Sequence, residues 1–172
     1  CRGERFPELL NGYMISLETA VLRKAVLDSL DHWFDENFHM VEDYDMFVRI
    51  GIDWKIDYVP DVLAKWRVHG ESSTWLIPDK FVEEKRRMLE QLGQDPRIQQ
   101  RYDSDLKAAW KSQSFAEMRV CWKNGKGALA REIIRRDLGK GLKSRLLWIA
   151  SFFPYAIFES TYRFVFRSVT PT

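Results

Sequence analysis

The apolar residues of this chain change their spacing near residues 73–78, and this change limits what the chain can fold into. Beyond Pro78 they recur at intervals of three and four, which is typical of helices packed on a core, and no strand is evident. We predict helices over Asp79 to Leu92, about Asp103 to Lys123 and Lys126 to Leu138, with a turn at Asn124-Gly125 and an aromatic tail from Leu142. The second part of the chain is therefore expected to be all helical.

The part before this change favours a mixture of strands and helices. Short apolar segments predict strands over Gly12 to Leu17, Trp54 to Val59 and Val62 to Val68. Thr19 is expected to cap one helix, and a second helix is predicted from Asp43 to Ile50, with Gly51 ending it. The order β, α, α, β, β indicates an α/β fold, with residues 1–76 and 77–172 as separate domains.

Composition and charge narrow the class of protein. With 45% hydrophobic and 14% aromatic residues, the chain can bury a core. The residues through Pro78 carry 8 basic and 14 acidic side chains, and the remainder carries 19 and 11, so the two parts have opposite net charge. Two cysteines, without zinc-site spacing, favour a reducing, cytoplasmic location. No initiator Met or signal segment opens the chain, so we expect a piece of a longer protein.

Three carboxylates lie close together where the second predicted helix begins: Glu42, Asp43 and Asp45. Asp45 is four residues from Arg49, a spacing that favours a structural ion pair on one helix face. A carboxylate at a helix start, partly shielded by Trp33, Phe34 and Phe38, could take a proton from an acceptor hydroxyl. The alternative is that Asp43 only caps the helix.

A second polar cluster follows the last predicted strand. Arg67 and His69 are two residues apart and so share one strand face, and the hydroxyls of residues 72–74 come after them. An arginine, a histidine and a hydroxyl run can bind a pyrophosphate, and a neutral imidazole can ligate a divalent ion. A lone histidine with a purely structural role is the alternative.

The C-terminal tail combines apolar and basic residues. Leu146 to Phe158 is uncharged for 13 residues, which is shorter than the roughly 20 that a spanning helix requires. From Lys140 onward five basic residues oppose only Glu159. We predict that residues 142–169 lie on an anionic membrane surface as a peripheral contact on its inner face. The alternative is that the aromatic residues only close the helical core or an oligomer interface.

Taken in order, these clusters resemble the C-terminal half of an inverting family 2 glycosyltransferase with the nucleotide-sugar transferase type A fold. The matching segments are Asn11 to Ser16 with Thr19 and Arg23-Lys24, Trp33 to Glu36, Glu42 to Arg49, and Leu63 to His69 with Ser72-Ser73. They follow the family's order and approximate spacing over residues 11–74. The resemblance implies a partial mixed-sheet α/β fold followed by an all-helical extension.

The resemblance also implies an activity and two catalytic roles. Asp43 is expected to be the base that deprotonates the acceptor hydroxyl, and Glu42 to position the acceptor or the base. The family transfers a sugar from a nucleotide-sugar to a saccharide or lipid-linked acceptor with inversion. The resemblance implies that this chain takes part in such a transfer in cell-envelope polysaccharide synthesis. We expect no nucleic-acid partner.

On the donor side, the resemblance implies that Arg67, Ser73 and Trp66 contact the substrate and that His69 contacts the metal, Mg²⁺ or Mn²⁺. The donor-binding half of such enzymes has no counterpart in these residues, so the chain alone is expected to be inactive. Two alternatives remain open: a non-catalytic helical adaptor or membrane-docking module, and a metal hydrolase using Glu42, Asp43 and His69.

Overall fold

A computed structural model describes residues 3–65, 67, 77–136 and 141–160. The described part of the chain is helical. Its helices are α1 (Phe6–Asn11), a 3₁₀ turn (Leu17–Thr19), α2 (Lys24–Asp28), α3 (Glu42–Asp53), α4 (Pro78–Leu92), α5 (Pro96–Lys123), α6 (Gly127–Arg135) and α7 (Leu142–Ala150). Residues 155–160 are also helical. Within these ranges no helix is both long and apolar enough to cross a membrane.

The predicted α/β fold with a mixed sheet is wrong, because the described residues are helical and form no sheet. Among the described residues, the β pairing is one antiparallel bridge between Gly3 and Ile56. Gly12 to Leu17 and Trp54 to Val59 run without partner strands, and Val62 and Leu63 are exposed. β-Branched and aromatic residues favour strands only where a neighbouring strand can pack and pair with them. The last residues of the third predicted strand lie outside the described residues.

In the second part of the chain, the predicted helices agree more closely with the structure than the predicted strands do in the first part. Helix α4 begins and ends within one residue of its prediction, and the turn at Asn124-Gly125 is present, with Gly125 at φ 76°. The long helix α5 begins at Pro96, earlier than expected, and Tyr102 inside it has non-helical angles. The predicted start at Asp103 therefore falls at an irregularity in α5 rather than at its first residue.

Two predictions about the first helices are wrong. Thr19 ends a 3₁₀ turn, and its hydroxyl donates to the Ser16 carbonyl, so it caps no helix. Gly51 does not end α3, which continues to Asp53. A Cβ at Gly51 would lie 3.0 Å from Leu9 Cδ1, so the glycine permits α1 to approach α3 closely. A glycine inside a helix can serve such packing as well as termination.

The chain forms two compact units, one through Trp110 and one from Lys111 onward. Helix α4 and the start of α5 thus pack with the first unit, whereas the boundary expected from the sequence lies near residues 73–78. The core of the first unit consists of buried residues from α1, α3, α4 and α5 and the loop before α3: Phe6, Leu9, Leu10, Phe38, Val41, Tyr44, Val48, Ile52, Met88, Leu89, Leu92, Ile98, Tyr102, Leu106 and Ala109.

The second unit has a separate core around Trp122. Met118, Ala130 and Ile134 are buried beside it, and apolar residues of α7 and of the helical residues 155–160 pack against this group. The Trp122 ring meets Tyr155 edge-on at 5.3 Å and Phe158 at 4.8 Å between centroids. The indole N–H donates to the Phe153 carbonyl at 2.8 Å, which satisfies the one polar group of the ring.

Candidate active site around Asp43

Asp43 lies in the first turn of α3, as the sequence predicts for the acidic cluster. Three acids in this turn are tolerated because the helix start exposes unpaired N–H groups and the positive end of the helix dipole. The N-cap position is Val41, which has no side-chain cap. Asp43 Oδ1 accepts the N–H of Tyr44 at 2.7 Å. The capping alternative therefore accounts for one oxygen of this carboxylate.

The other oxygen of Asp43 is held by a residue distant in sequence. The hydroxyl of Tyr13 donates to Asp43 Oδ2 at 2.5 Å. The Tyr13 ring stacks on Tyr44 at 4.8 Å, and the hydroxyl of Tyr44 donates to the Leu9 carbonyl at 2.7 Å. Asp43 is therefore oriented by a pair of stacked tyrosines anchored on α1.

The surroundings of Tyr13 keep its hydroxyl protonated, so that it acts as a hydrogen-bond donor. Burial raises the pKa of Tyr13, and the hydrogen bond and negative charge of Asp43 raise it further, followed by the charges of Glu18 and Glu42. A tyrosine in this setting keeps its proton at neutral pH and donates to the carboxylate. An ionised carboxylate has about four acceptor positions, so these two donors do not use all the acceptor positions of Asp43.

Glu42 differs from Asp43 in having an unused oxygen. Its Oε2 is buried, and no donor among the described residues reaches it. Buried polar atoms are nearly always hydrogen-bonded, and an unpaired one is costly. Because this oxygen is shielded from solvent, it lies inside the protein and is not exposed to a bound substrate in this conformation.

Asp45 has a structural role, which confirms the predicted pairing with Arg49. Its buried carboxylate meets Arg49 Nε at 2.8 Å, and burial raises the pKa of Asp45 while Arg49 opposes that rise. Arg49 also donates to the carbonyls of His32 and Trp33 at 2.8 and 2.7 Å. The pair thereby ties α3 to the aromatic loop. Within that loop Phe38 is buried, whereas Trp33 and Phe34 are exposed.

Sequence reasoning missed Glu84, a fully buried carboxylate on α4. Its Oε2 accepts the N–H groups of His39 and Met40 at 2.9 and 2.7 Å, immediately before α3 begins. Its Oε1 accepts no hydrogen bond from the described residues, although Lys80 Nζ is 3.7 Å away. Glu84 occupies the apolar stripe of α4 between Phe81 and Met88, and a charge in such a stripe is a signal visible in the sequence.

Lys85 is the second residue that sequence reasoning missed. Its Nζ lies 5.3 Å from the centroid of the Tyr44 ring. Burial lowers the pKa of Lys85. A cation over an aromatic face is attracted by the ring quadrupole. Lys85 therefore contributes positive charge behind the tyrosine pair that holds Asp43, and nothing in the local sequence pattern singles it out.

Most of the residues predicted to bind the donor lie outside the described part of the chain. Trp66, His69 and Ser73 lie outside it, and Arg67 is described as exposed. Their predicted roles stay predictions. In the part of the chain that the structure describes, no three His, Cys, Asp or Glu side chains are grouped so as to hold a metal ion. The acidic cluster alone thus forms no metal site.

Comparisons with known proteins leave the family open. No protein-family model, no curated protein and no solved structure matches the chain. The function is therefore argued from the residues and the geometry.

Proposed function

We propose that this chain provides the acceptor side of an inverting glycosyltransferase, with Asp43 as the general base. The observation that carries the proposal is the fixed orientation of Asp43, whose two oxygens accept from Tyr13 and from the Tyr44 N–H. A base held in one orientation with a free acceptor position is what deprotonation of a bound hydroxyl requires. The resemblance of residues 11–74 to family 2 supports the same role.

The chemistry is a single displacement. Asp43 accepts the proton of an acceptor hydroxyl while that oxygen attacks the anomeric carbon, and the nucleoside diphosphate leaves from the opposite face. Glu42, next to Asp43 in the first turn of α3, is proposed to position the acceptor or the base. The configuration at the anomeric carbon is inverted because attack and departure occur on opposite faces.

On this proposal, the nucleotide-sugar binds mostly to residues outside the described part of the chain. Arg67, Ser73 and Trp66 are proposed to complete the donor site, and His69 to contact Mg²⁺ or Mn²⁺, which would stabilise the charge of the departing diphosphate. The proposal places the reaction in the cytoplasm, on a saccharide or lipid-linked acceptor.

Replacing Asp43 by Asn in the complete protein tests the proposal. Removal of a general base typically lowers turnover about 10²–10⁴-fold, so release of nucleoside diphosphate from a panel of nucleotide-sugars, with a lipid and saccharide extract as acceptor, should fall by that factor. Asp28→Asn is the matched control, because the Asp28 side chain is exposed and forms an ion pair with the exposed Lys24. Unchanged turnover in Asp43→Asn would favour the alternative of a non-catalytic helical adaptor.

A further inference from the structure

The second unit presents apolar side chains on two opposite sides. Leu147, Trp148, Tyr155 and Phe158 point inward and pack against the core around Trp122. A different set points outward, and each member is between 54% and 71% exposed. This set, called here the outer apolar face, consists of Leu142, Leu146, Ile149, Phe152, Phe153 and Ile157. The aromatic tail thus closes the core with one side and leaves another side open.

The outer apolar face is continuous. Leu142, Leu146 and Ile149 follow one another at helical spacing along α7, and Phe153 extends the row into the turn. A shallow cleft of about 290 Å³ lies between α7 and the helical residues 155–160 and is lined entirely by apolar residues. Contiguous exposed apolar surface of this kind usually marks an interaction site.

The turn that bears Phe152 and Phe153 has its polar groups satisfied internally. The Phe153 N–H donates to the Ala150 carbonyl at 3.0 Å, and the Phe153 carbonyl accepts from Trp122. The Ser151 carbonyl accepts from Arg131 at 2.9 Å, and the Ser151 hydroxyl donates to the Trp148 carbonyl. Burying this turn in an apolar medium therefore leaves few polar groups unpaired.

The basic charge of the C-terminal region favours an anionic surface as the partner of the outer apolar face. Five basic residues and one acidic residue lie between Lys140 and the C-terminus. Such an excess attracts an anionic surface, and it opposes the pairing of two identical copies through this region. No described helix can cross a membrane, so the contact is one of lying on the surface.

We propose that the outer apolar face docks this chain on the surface of an anionic membrane, with Leu146, Ile149 and Phe153 entering the boundary between headgroups and acyl chains. The excess of basic residues from Lys140 onward adds electrostatic attraction to lipid phosphate. This inference is independent of the proposed glycosyltransferase activity, since it rests on the second unit alone.

Vesicle flotation of the 172-residue chain tests the proposal. We expect flotation with vesicles of phosphatidylcholine and phosphatidylglycerol, weaker flotation with phosphatidylcholine alone, and loss of binding as salt is raised, because salt screens the charges. The double variant Ile149→Gln/Phe153→Gln should bind the vesicles at least about ten-fold more weakly, because two apolar side chains no longer enter the lipid. Val21→Gln/Val62→Gln is the matched control, because both valines are exposed on the first unit.

Three results would overturn the proposal: no flotation on the anionic vesicles, equal binding by the Ile149→Gln/Phe153→Gln variant, or a dimer of the chain that this variant dissociates. Circular dichroism checks that the variants are folded. If that pair fails to fold, Leu142→Gln/Leu146→Gln alters the same face at its other end and is subject to the same expectations.

Discussion

The hydroxyl of Tyr13 donates to Asp43 across thirty residues of sequence, at 2.5 Å from Oδ2. The bond joins the extended segment after α1 to the first turn of α3. It is reinforced by the stacking of Tyr13 on Tyr44, whose own hydroxyl is bound to the Leu9 carbonyl. The orientation of the proposed base is thus set by α1, a helix outside the acidic cluster.

Tyr13→Phe should remove this constraint while keeping the stacked ring. We expect the free energy of unfolding to fall by about 1 kcal/mol, the usual contribution of one partly exposed hydrogen bond. In the complete protein, kcat should fall about ten-fold as Asp43 loses its fixed orientation, with the KM for the donor unchanged. Urea unfolding and steady-state kinetics measure the two effects. Tyr58→Phe, at an exposed position, should change neither, and an unaltered kcat in Tyr13→Phe would show that Tyr13 has no positioning role.

Alkaline pH should destabilise the first unit through Tyr44. Burial raises the pKa of Tyr44 above the value of about 10 that tyrosine has in an unfolded chain. The contribution of Tyr44 to stability is therefore complete below about pH 10 and is lost above it, with a limiting slope of about 1.4 kcal/mol per pH unit. Urea unfolding at several alkaline pH values measures this slope.

Tyr44→Phe isolates that contribution. Lys85 lies over the same ring, and its lowered pKa acts in the opposite direction below about pH 10.4, where a lysine in the unfolded chain still binds its proton. Because Lys85 is present in both proteins, the difference in slope between wild type and Tyr44→Phe reports on the tyrosine. Equal slopes would mean that Tyr44 ionises as easily in the folded as in the unfolded chain.

Arg49→Met should leave the Asp45 carboxylate buried without a partner. We expect a loss of about 3 kcal/mol in the free energy of unfolding at pH 7, which is typical of breaking a buried ion pair from one side. Burial raises the pKa of Asp45 and Arg49 opposes the rise, so without Arg49 the acid takes up a proton more readily as pH falls. The difference from wild type should therefore shrink toward acid pH.

The matched control for this pair is Lys24→Met. Lys24 and Asp28 have the same spacing of four residues but are exposed, so their pair should contribute less than about 0.5 kcal/mol. Denaturant unfolding at neutral and mildly acid pH compares the two variants. Similar losses in both would contradict a special role for burial at Asp45.

Glu84→Ala should free the segment before α3. The variant removes the hydrogen bonds that the N–H groups of His39 and Met40 donate to this carboxylate, and a hydrogen bond to a charged group contributes about 1.5–3 kcal/mol. We expect a loss of about 3 kcal/mol in stability and faster amide hydrogen exchange at these two residues. The neighbouring Glu83 is exposed, so Glu83→Ala should have little effect. Unchanged exchange at His39 and Met40 would show that Glu84 does not hold this segment.

The sequence predictions were accurate where a structure depends on interactions between residues close in sequence, and inaccurate where it depends on residues far apart. Helices α3 and α4 begin within a residue of their predicted starts, because apolar spacing and the acids or proline at a helix start are local signals. The predicted strands at residues 12–17 and 54–59 did not form, because a strand depends on a partner that its own residues do not specify. The continuation of α3 through Gly51 likewise depends on the approach of Leu9 from another helix.

The predictions for the candidate site show the same difference between local and long-range interactions. Local spacing was enough to predict the Asp45–Arg49 pair and the position of Asp43 at a helix start, because residues four apart on a helix are neighbours. The hold of Tyr13 on Asp43, the hold of Glu84 on the segment before α3 and the exposed side of the aromatic tail became visible only in the folded chain. These contacts join residues on separate elements, and the packing of the cores, which no local spacing encodes, brings them together.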